Sequence, residues 1–228
     1  MPTRDVSCAR HFIAAGDPLF SIIQAAGWPI WPLILCSIVA MALVIERLVS
    51  LRSAKVAPDK LLDEVLSITR TSLPSSDVVN KLAASSALGQ VLAAGVRSVV
   101  AEPRLSERAL RAVFENAGRV SVHRLDRYLN TLGTIATAAP LLGLFGTVVG
   151  MIEIFGSQAP TGGSNPAQLA HGISIALYNT AFGLMIAIPA LMFYRYFRGR
   201  VDGFTVDMEQ AAERLVPHLM RFAVKSSA

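Results

Sequence analysis

Leu132 to Phe155 reads LGTIATAAPLLGLFGTVVGMIEIF, 24 residues with no charge until Glu153 near the far end. At a helical rise of about 1.5 Å per residue the stretch reaches about 36 Å, enough to cross a hydrocarbon core of about 30 Å with some tilt. It is rich in small residues for a simple anchor. On a helical wheel Ala136, Pro140, Gly143, Thr147 and Gly150 fall on one face, with Thr147 its most polar member. Such a face lets a second helix approach closely, and its hydroxyl can hydrogen-bond inside a bundle. The pattern predicts a transmembrane helix made to pack, and to line something.

Moving outward, Ile173 to Phe193 is a run of 21 uncharged residues, ISIALYNTAFGLMIAIPALMF. Gly172, Ala176, Thr180, Gly183 and Ala187 share a face there and repeat the small-plus-threonine pattern, while Pro189 is placed to bend the exit. Residues 156–172, rich in Gly, Pro, Ser and Asn, read as a turn between the two spans. A first span covers Trp28 to Ile45, with Trp28 and Trp31 at the level where indole rings prefer the headgroups. Pro29 and Pro32 sit in its first turn, where a missing N–H is tolerated. Ahead of it, residues 1–16 have no sustained apolar run, so no removable signal peptide is expected, and Asp17-Pro18 predicts a short interfacial helix over Leu19 to Ala26.

Between the first two spans lie residues 46–130, with 13 Lys/Arg and 9 Asp/Glu. Helices are expected over Lys60 to Thr71, Asp77 to Val100 and Ser106 to Asn130, separated by Pro74 and Pro103. The last carries Leu110, Phe114, Ala117, Leu125 and Tyr128 at near-helical spacing and is expected to run unbroken into the second span. Its polar residues Glu115, Arg119, His123, Arg124 and Asp126 read either as a partner-contact strip or as a solvated face with local ion pairs. The tail 194–228 is expected to be helical through Val216. The resulting order is 1–27, a span at 28–45, the polar loop 46–130, a span at 131–155, the connector 156–172, a span at 173–193, and the tail. The fold class is an all-α membrane protein of three transmembrane helices, with long helices extending into a cytoplasmic helical domain. The loop holds 13 Lys/Arg, the tail 6, the N-terminal segment 2 and the connector none, so the loop and tail face the cytoplasm by the positive-inside rule. Glu46, Arg47, Arg195 and Arg198 mark the membrane boundary on that side and are candidates for partner contact.

Composition agrees with this class. The 228 residues are 53% hydrophobic and 16% charged, with mean hydropathy +0.49, whereas soluble domains carry about 25% charged residues. The net charge of +5 is spread by compartment and forms no groove for nucleic acid. Cys8 and Cys36 are too few for a disulfide framework, and the four histidines are isolated, so no metal site or cofactor is expected. No nucleophile elbow, phosphate loop or dinucleotide fingerprint is present, and no enzymatic activity is expected. What remains inside the spans is Thr147 and Thr180, with Asn179, Tyr178 and Glu153. Thr147 lies nine residues before Gly156 and Thr180 nine after His171, so both sit at one depth. They read either as packing contacts or as the lining of a shared polar cavity. Glu153 reads as an interfacial carboxylate at the outer mouth or as part of a path.

Thr134 to Met151 (TIATAAPLLGLFGTVVGM), Gly172 to Ala190 (GISIALYNTAFGLMIAIPA) and Ile45 to Arg52 (IERLVSLR) together resemble the MotA/TolQ/ExbB family, and within it the ExbB type most closely. The resemblance implies an inner-membrane subunit of a Gram-negative bacterium, with a periplasmic N-terminus and a cytoplasmic C-terminus. It implies a homo-oligomeric ring, generally described as a pentamer, around the single-span helices of an ExbD-type partner whose aspartate carries protons. Proton flow would drive a TonB-type transducer for uptake of iron siderophores or cobalamin. A TolQ-like or gliding-motility output is the alternative. The family's functional threonines fall on Thr147 and Thr180, facing the ring interior. Some ExbB proteins carry a glutamate five residues before the second threonine, where this chain has Ile175.

Overall fold

The computed structural model describes residues 27–157 and 166–225, all of it helix, turn and loop. The interfacial helix expected before Gly27 lies outside the described residues. Eight helices follow among them: α1 (Ile30–Ser50), α2 (Ser53–Val56), α3 (Leu61–Thr71), α4 (Ser76–Ser85), α5 (Ala87–Ala101), α6 (Glu107–Asp126), α7 (Leu129–Ser157) and α8 (Pro166–Lys225). The chain divides into two compact units, Met1–Met41 with Gly133–Leu191 and Ala42–Leu132 with Met192–Ala228.

The first unit holds the apolar parts of α1, α7 and α8, the three helices among the described residues long and apolar enough to cross a membrane. Gly27 enters α1 with φ +74°, a left-handed turn that suits glycine, directly before Trp28-Pro29. Along α1, Trp31, Leu35, Ile38, Met41 and Ile45 recur every three or four residues, and each is more than half exposed. Water would not tolerate so continuous an apolar stripe, whereas lipid accounts for it. Leu33 is buried in one cluster with Ala139 of α7 and Ala187 of α8, against which Leu142, Phe182 and Ile186 pack. The connector is shorter than residues 156–172, because α7 reaches Ser157 and α8 starts at Pro166.

In the second unit α5 is the buried element, with Leu88, Val91, Leu92, Ala93, Val96 and Val99 inside. The expected helix over Asp77 to Val100 is two helices. Ser86 is extended (φ −163°, ψ 170°), and its hydroxyl accepts the Gly89 N–H at 2.9 Å, capping α5. Ser106 caps α6 in the same way through the Ala109 N–H. The inward side chains of α6 are Leu110, Phe114, Ser121 and Leu125, and a Cβ placed on Gly95 of α5 would run into the Phe114 ring. Phe114→Ala should therefore leave an unfilled cavity facing Gly95, a loss of about 3–5 kcal/mol. A fall of several degrees in the Tm of the detergent-solubilised protein is the expected reading.

Two further expectations are corrected. α6 does not run unbroken into the second span: it ends at Asp126, and Arg127 and Tyr128 form a turn before α7. Arg47 is the cause. Its Nη1 donates to the Leu125 carbonyl at 2.8 Å, the oxygen an unbroken helix would offer to the Leu129 N–H. The tail helix also continues past Val216, through Pro217 to Lys225. A proline removes a single bond, here to the Glu213 carbonyl, and the surrounding packing outweighs it. Phe197, Val201, Phe204, Met208, Ala211, Leu215 and Leu219 keep one face of this stretch buried on both sides of the proline.

Candidate functional site

The two small-residue faces meet each other. A Cβ on Gly143 would lie 2.7 Å from the Asn179 carbonyl oxygen and 3.0 Å from Thr180 Cα, and one on Gly183 would lie 2.6 Å from the Ala139 carbonyl oxygen. Further along the seam, a Cβ on Gly150 would stand 3.1 Å from Ala176 Cβ. Ala136, Ala176 and Ala187 are buried, and Pro140 is half-buried. Glycine and alanine thus bring the α7 and α8 backbones almost into contact, as expected where van der Waals packing replaces hydrophobic driving force.

Thr147 and Thr180 are both half-buried, at the rim of this seam. At 100° per residue, Thr147 falls about 70° from the centre of the α7 contact face, and Thr180 about 70° from that of α8, in the same rotational sense. Because the helices are antiparallel, equal offsets of one sense place both threonines on one flank of the hairpin. α1 lies on the other flank. The Trp28 ring meets Phe145 edge-on at 5.9 Å, and Phe145 and Leu142 sit on the side of α7 away from Thr147. Within this unit, then, the threonine flank is the one that α1 leaves uncovered. The Thr147 hydroxyl donates to the Leu144 carbonyl at 2.7 Å.

The other candidates are placed elsewhere. Glu153 is exposed and about 120° from Thr147 around α7, so it does not share the threonine flank. Arg47 is buried, pairs with Glu46 and lies 4.9 Å from the Tyr128 ring centroid. Arg198 bonds Asp126 at 2.9 Å, while Arg195 is exposed. In the α6 strip, Glu115 pairs with Arg119 and Arg124 donates to Gln90, so these side chains make local contacts within the fold. Beside them a groove of about 730 Å³, lined among others by Phe114, His123, Met208 and Val216, runs between α6 and the later part of α8. Among the described residues no group of His, Cys, Asp or Glu could hold a metal ion. Two residues that matter to the seam escape the wheel pattern, Gly146 and Asn179. A Cβ on Gly146 would touch Asn179 at 2.8–3.0 Å, and Asn179 is 1% exposed. The available signal was a lone amide inside an apolar run.

Apolar stripes facing outward, a close glycine seam and a hydroxyl-bearing flank define an integral membrane protein whose second and third spans form a packing hairpin. Residues 83–210 match the model of the MotA/TolQ/ExbB proton channel family, to which this chain belongs. It is 32% identical over 182 residues to "Biopolymer transport protein exbB1" of Vibrio cholerae, covering 77% of each chain. It is 31% identical over 177 residues to "Putative biopolymer transport protein ExbB-like 3" of Synechocystis, covering 77% of this chain and 82% of the relative. With the ExbB of Salmonella typhimurium it shares 36% identity over 110 residues, 48% of this chain.

Proposed function

We propose that this chain is an ExbB-type subunit of a motor driven by the proton-motive force, a conducting scaffold rather than an enzyme. Copies of it, five by family resemblance, would form a ring in the inner membrane. The threonine flanks would face the ring axis, the N-terminus the periplasm, and the loop and tail the cytoplasm. A single-span ExbD-type partner would contribute a carboxylate to the interior, and proton passage would energise a TonB-type transducer for uptake of siderophores or cobalamin. What supports this reading is the pair of half-buried threonines on the flank that α1 leaves uncovered, in a chain whose relatives bear ExbB names.

Hydroxyls there would solvate the partner's acid as it gains and loses a proton. Two hydrogen bonds of about 1–1.5 kcal/mol each correspond to about 2–3 kcal/mol in the transfer step, or about 30- to 150-fold in rate. Thr147→Val/Thr180→Val keeps the shape and removes both hydroxyls, so the ring should assemble while proton flux falls by that factor. Full flux in an assembled double variant would return both threonines to a packing role. Uptake of a labelled ferric siderophore should be lost on deletion of the gene, restored by complementation, and abolished by a protonophore. Normal uptake in the absence of a second copy, with an envelope-integrity or motility defect, would assign the chain to the TolQ-like or gliding output.

A further inference from the structure

Asn179 is the single side-chain amide in the third apolar run, Ile173 to Phe193, and it is 1% exposed. A bilayer core offers no water to a buried amide, so what holds its orientation lies inside the helix bundle and fixes direction as well as distance. Its seat is specific. A Cβ on Gly146 would come within 2.8 Å of Asn179 Cβ, 2.9 Å of Cγ and 3.0 Å of Nδ2, so the missing side chain of Gly146 leaves the room the amide occupies. Thr180 is the next residue along, and its Cα packs over Gly143 one turn away on α7.

We propose that Asn179 is a positioning residue of the ion path: its amide, seated on Gly146, fixes the rotation of α8 about its own axis and so holds Thr180 on the flank it shares with Thr147. This rests on the ion-path reading above. The geometry is demanding. A rotation of about 30° moves a side-chain tip about 5 Å from the axis by about 2.5 Å. That is enough to break a hydrogen bond, whose length tolerates only a few tenths of an ångström. A leucine at position 179 would fill similar volume, yet nothing directional would stop that rotation. Asn179 touches no ion in this account; it acts through Thr180.

The test uses the full chain co-expressed with its ExbD-type partner and reconstituted in liposomes. Proton flux per assembled complex is one readout. The other is the rate at which a water-soluble thiol reagent labels Thr180→Cys in a Cys8→Ser/Cys36→Ser background, a rate that reports which way position 180 faces. Asn179→Leu should assemble, lose at least tenfold in flux, and slow labelling at least fivefold. Asn179→Ala removes the amide while Gly146 stays glycine, keeps assembly, and should be as low in flux and as slow in labelling as Asn179→Leu. Parental flux and labelling in either variant would overturn the proposal. If Asn179→Leu fails to assemble, Asn179→Ala decides alone. A parent complex without proton flux would defeat the ion-path reading, and the labelling rates would still test whether Asn179 sets the facing of position 180.

Discussion

Gly183→Ala should sharply lower the amount of folded protein recovered from the membrane, and Gly183→Leu should abolish it. A Cβ at Gly183 meets the Ala139 carbonyl oxygen at 2.6 Å, Gly143 Cα at 3.1 Å and the Ala139 carbonyl carbon at 3.4 Å. All three are backbone atoms, so no rotamer change relieves the clash and the helices must part. Separation there also opens the seam toward Gly146 and Gly150, because α7 and α8 are stiff over this distance. Overpacking costs about 1–3 kcal/mol for a methyl and more for a larger side chain. Within lipid, no burial of apolar surface offsets that loss, since the tails solvate the exposed faces equally well. Gly203→Ala is the matched control. It adds a methyl to the same helix with nothing within 4 Å, and should stabilise slightly, by up to about 1 kcal/mol through helix propensity. Size-exclusion profiles and Tm of the two variants in detergent make the comparison.

Arg47→Met should destabilise the second unit by about 2–4 kcal/mol, and Arg47→Lys should recover little of it. Arg47 is 4% exposed, and its guanidinium donates to the Leu125 carbonyl at 2.8 Å, pairs with Glu46 and lies over the Tyr128 ring. Truncation leaves that carbonyl without its donor, at about 1–3 kcal/mol, and loses a desolvated cation–π contact of about 0.5–2 kcal/mol. A lysine keeps the charge, but a compact ammonium cannot bond carbonyl and carboxylate from one planar fork while lying flat on a ring. Thermal melts of Arg47→Met, Arg47→Lys and the exposed-site control Arg195→Ala separate charge from geometry. Equal Tm for Arg47→Lys and the parent would show that the charge alone suffices.

What could be read along the chain is what local composition determines. Each of the three uncharged runs lies within a helix apart from Trp28-Pro29, which forms the turn into α1, and the Gly/Ala/Thr spacing marks the faces that form the α7–α8 seam. Features decided by distant partners could not be read this way. The break at Arg127-Tyr128 has no glycine or proline to announce it, and the side chain bonded there, Arg47, is 78 residues from the Leu125 carbonyl it donates to. The break at Ser86 was hidden in a serine pair inside a plausible helix, although serine before an apolar run is an N-cap signal. Pro217 misled in the opposite direction, as a stop signal overridden by packing. For the candidate site, a wheel identifies two threonines on two small-residue faces. Which flank they occupy relative to the first span depends on Trp28 meeting Phe145, a contact no periodicity encodes. Gly146 and Asn179 lie slightly off the chosen faces and become visible only when the two helices are set against each other.

The hydrogen bond from Thr147 to its own helix has a chemical consequence. With its proton directed at the Leu144 carbonyl, the hydroxyl presents lone pairs alone to whatever approaches from the open flank. It is an acceptor there and not a donor. A protonated carboxyl, a water or a bare cation is welcome at such a surface, whereas an ionised carboxylate meets electron density with electron density. In the ion path proposed above, Thr147 would therefore hold the protonated form of the partner's acid and leave the ionised form to other donors, without any titrating group of its own.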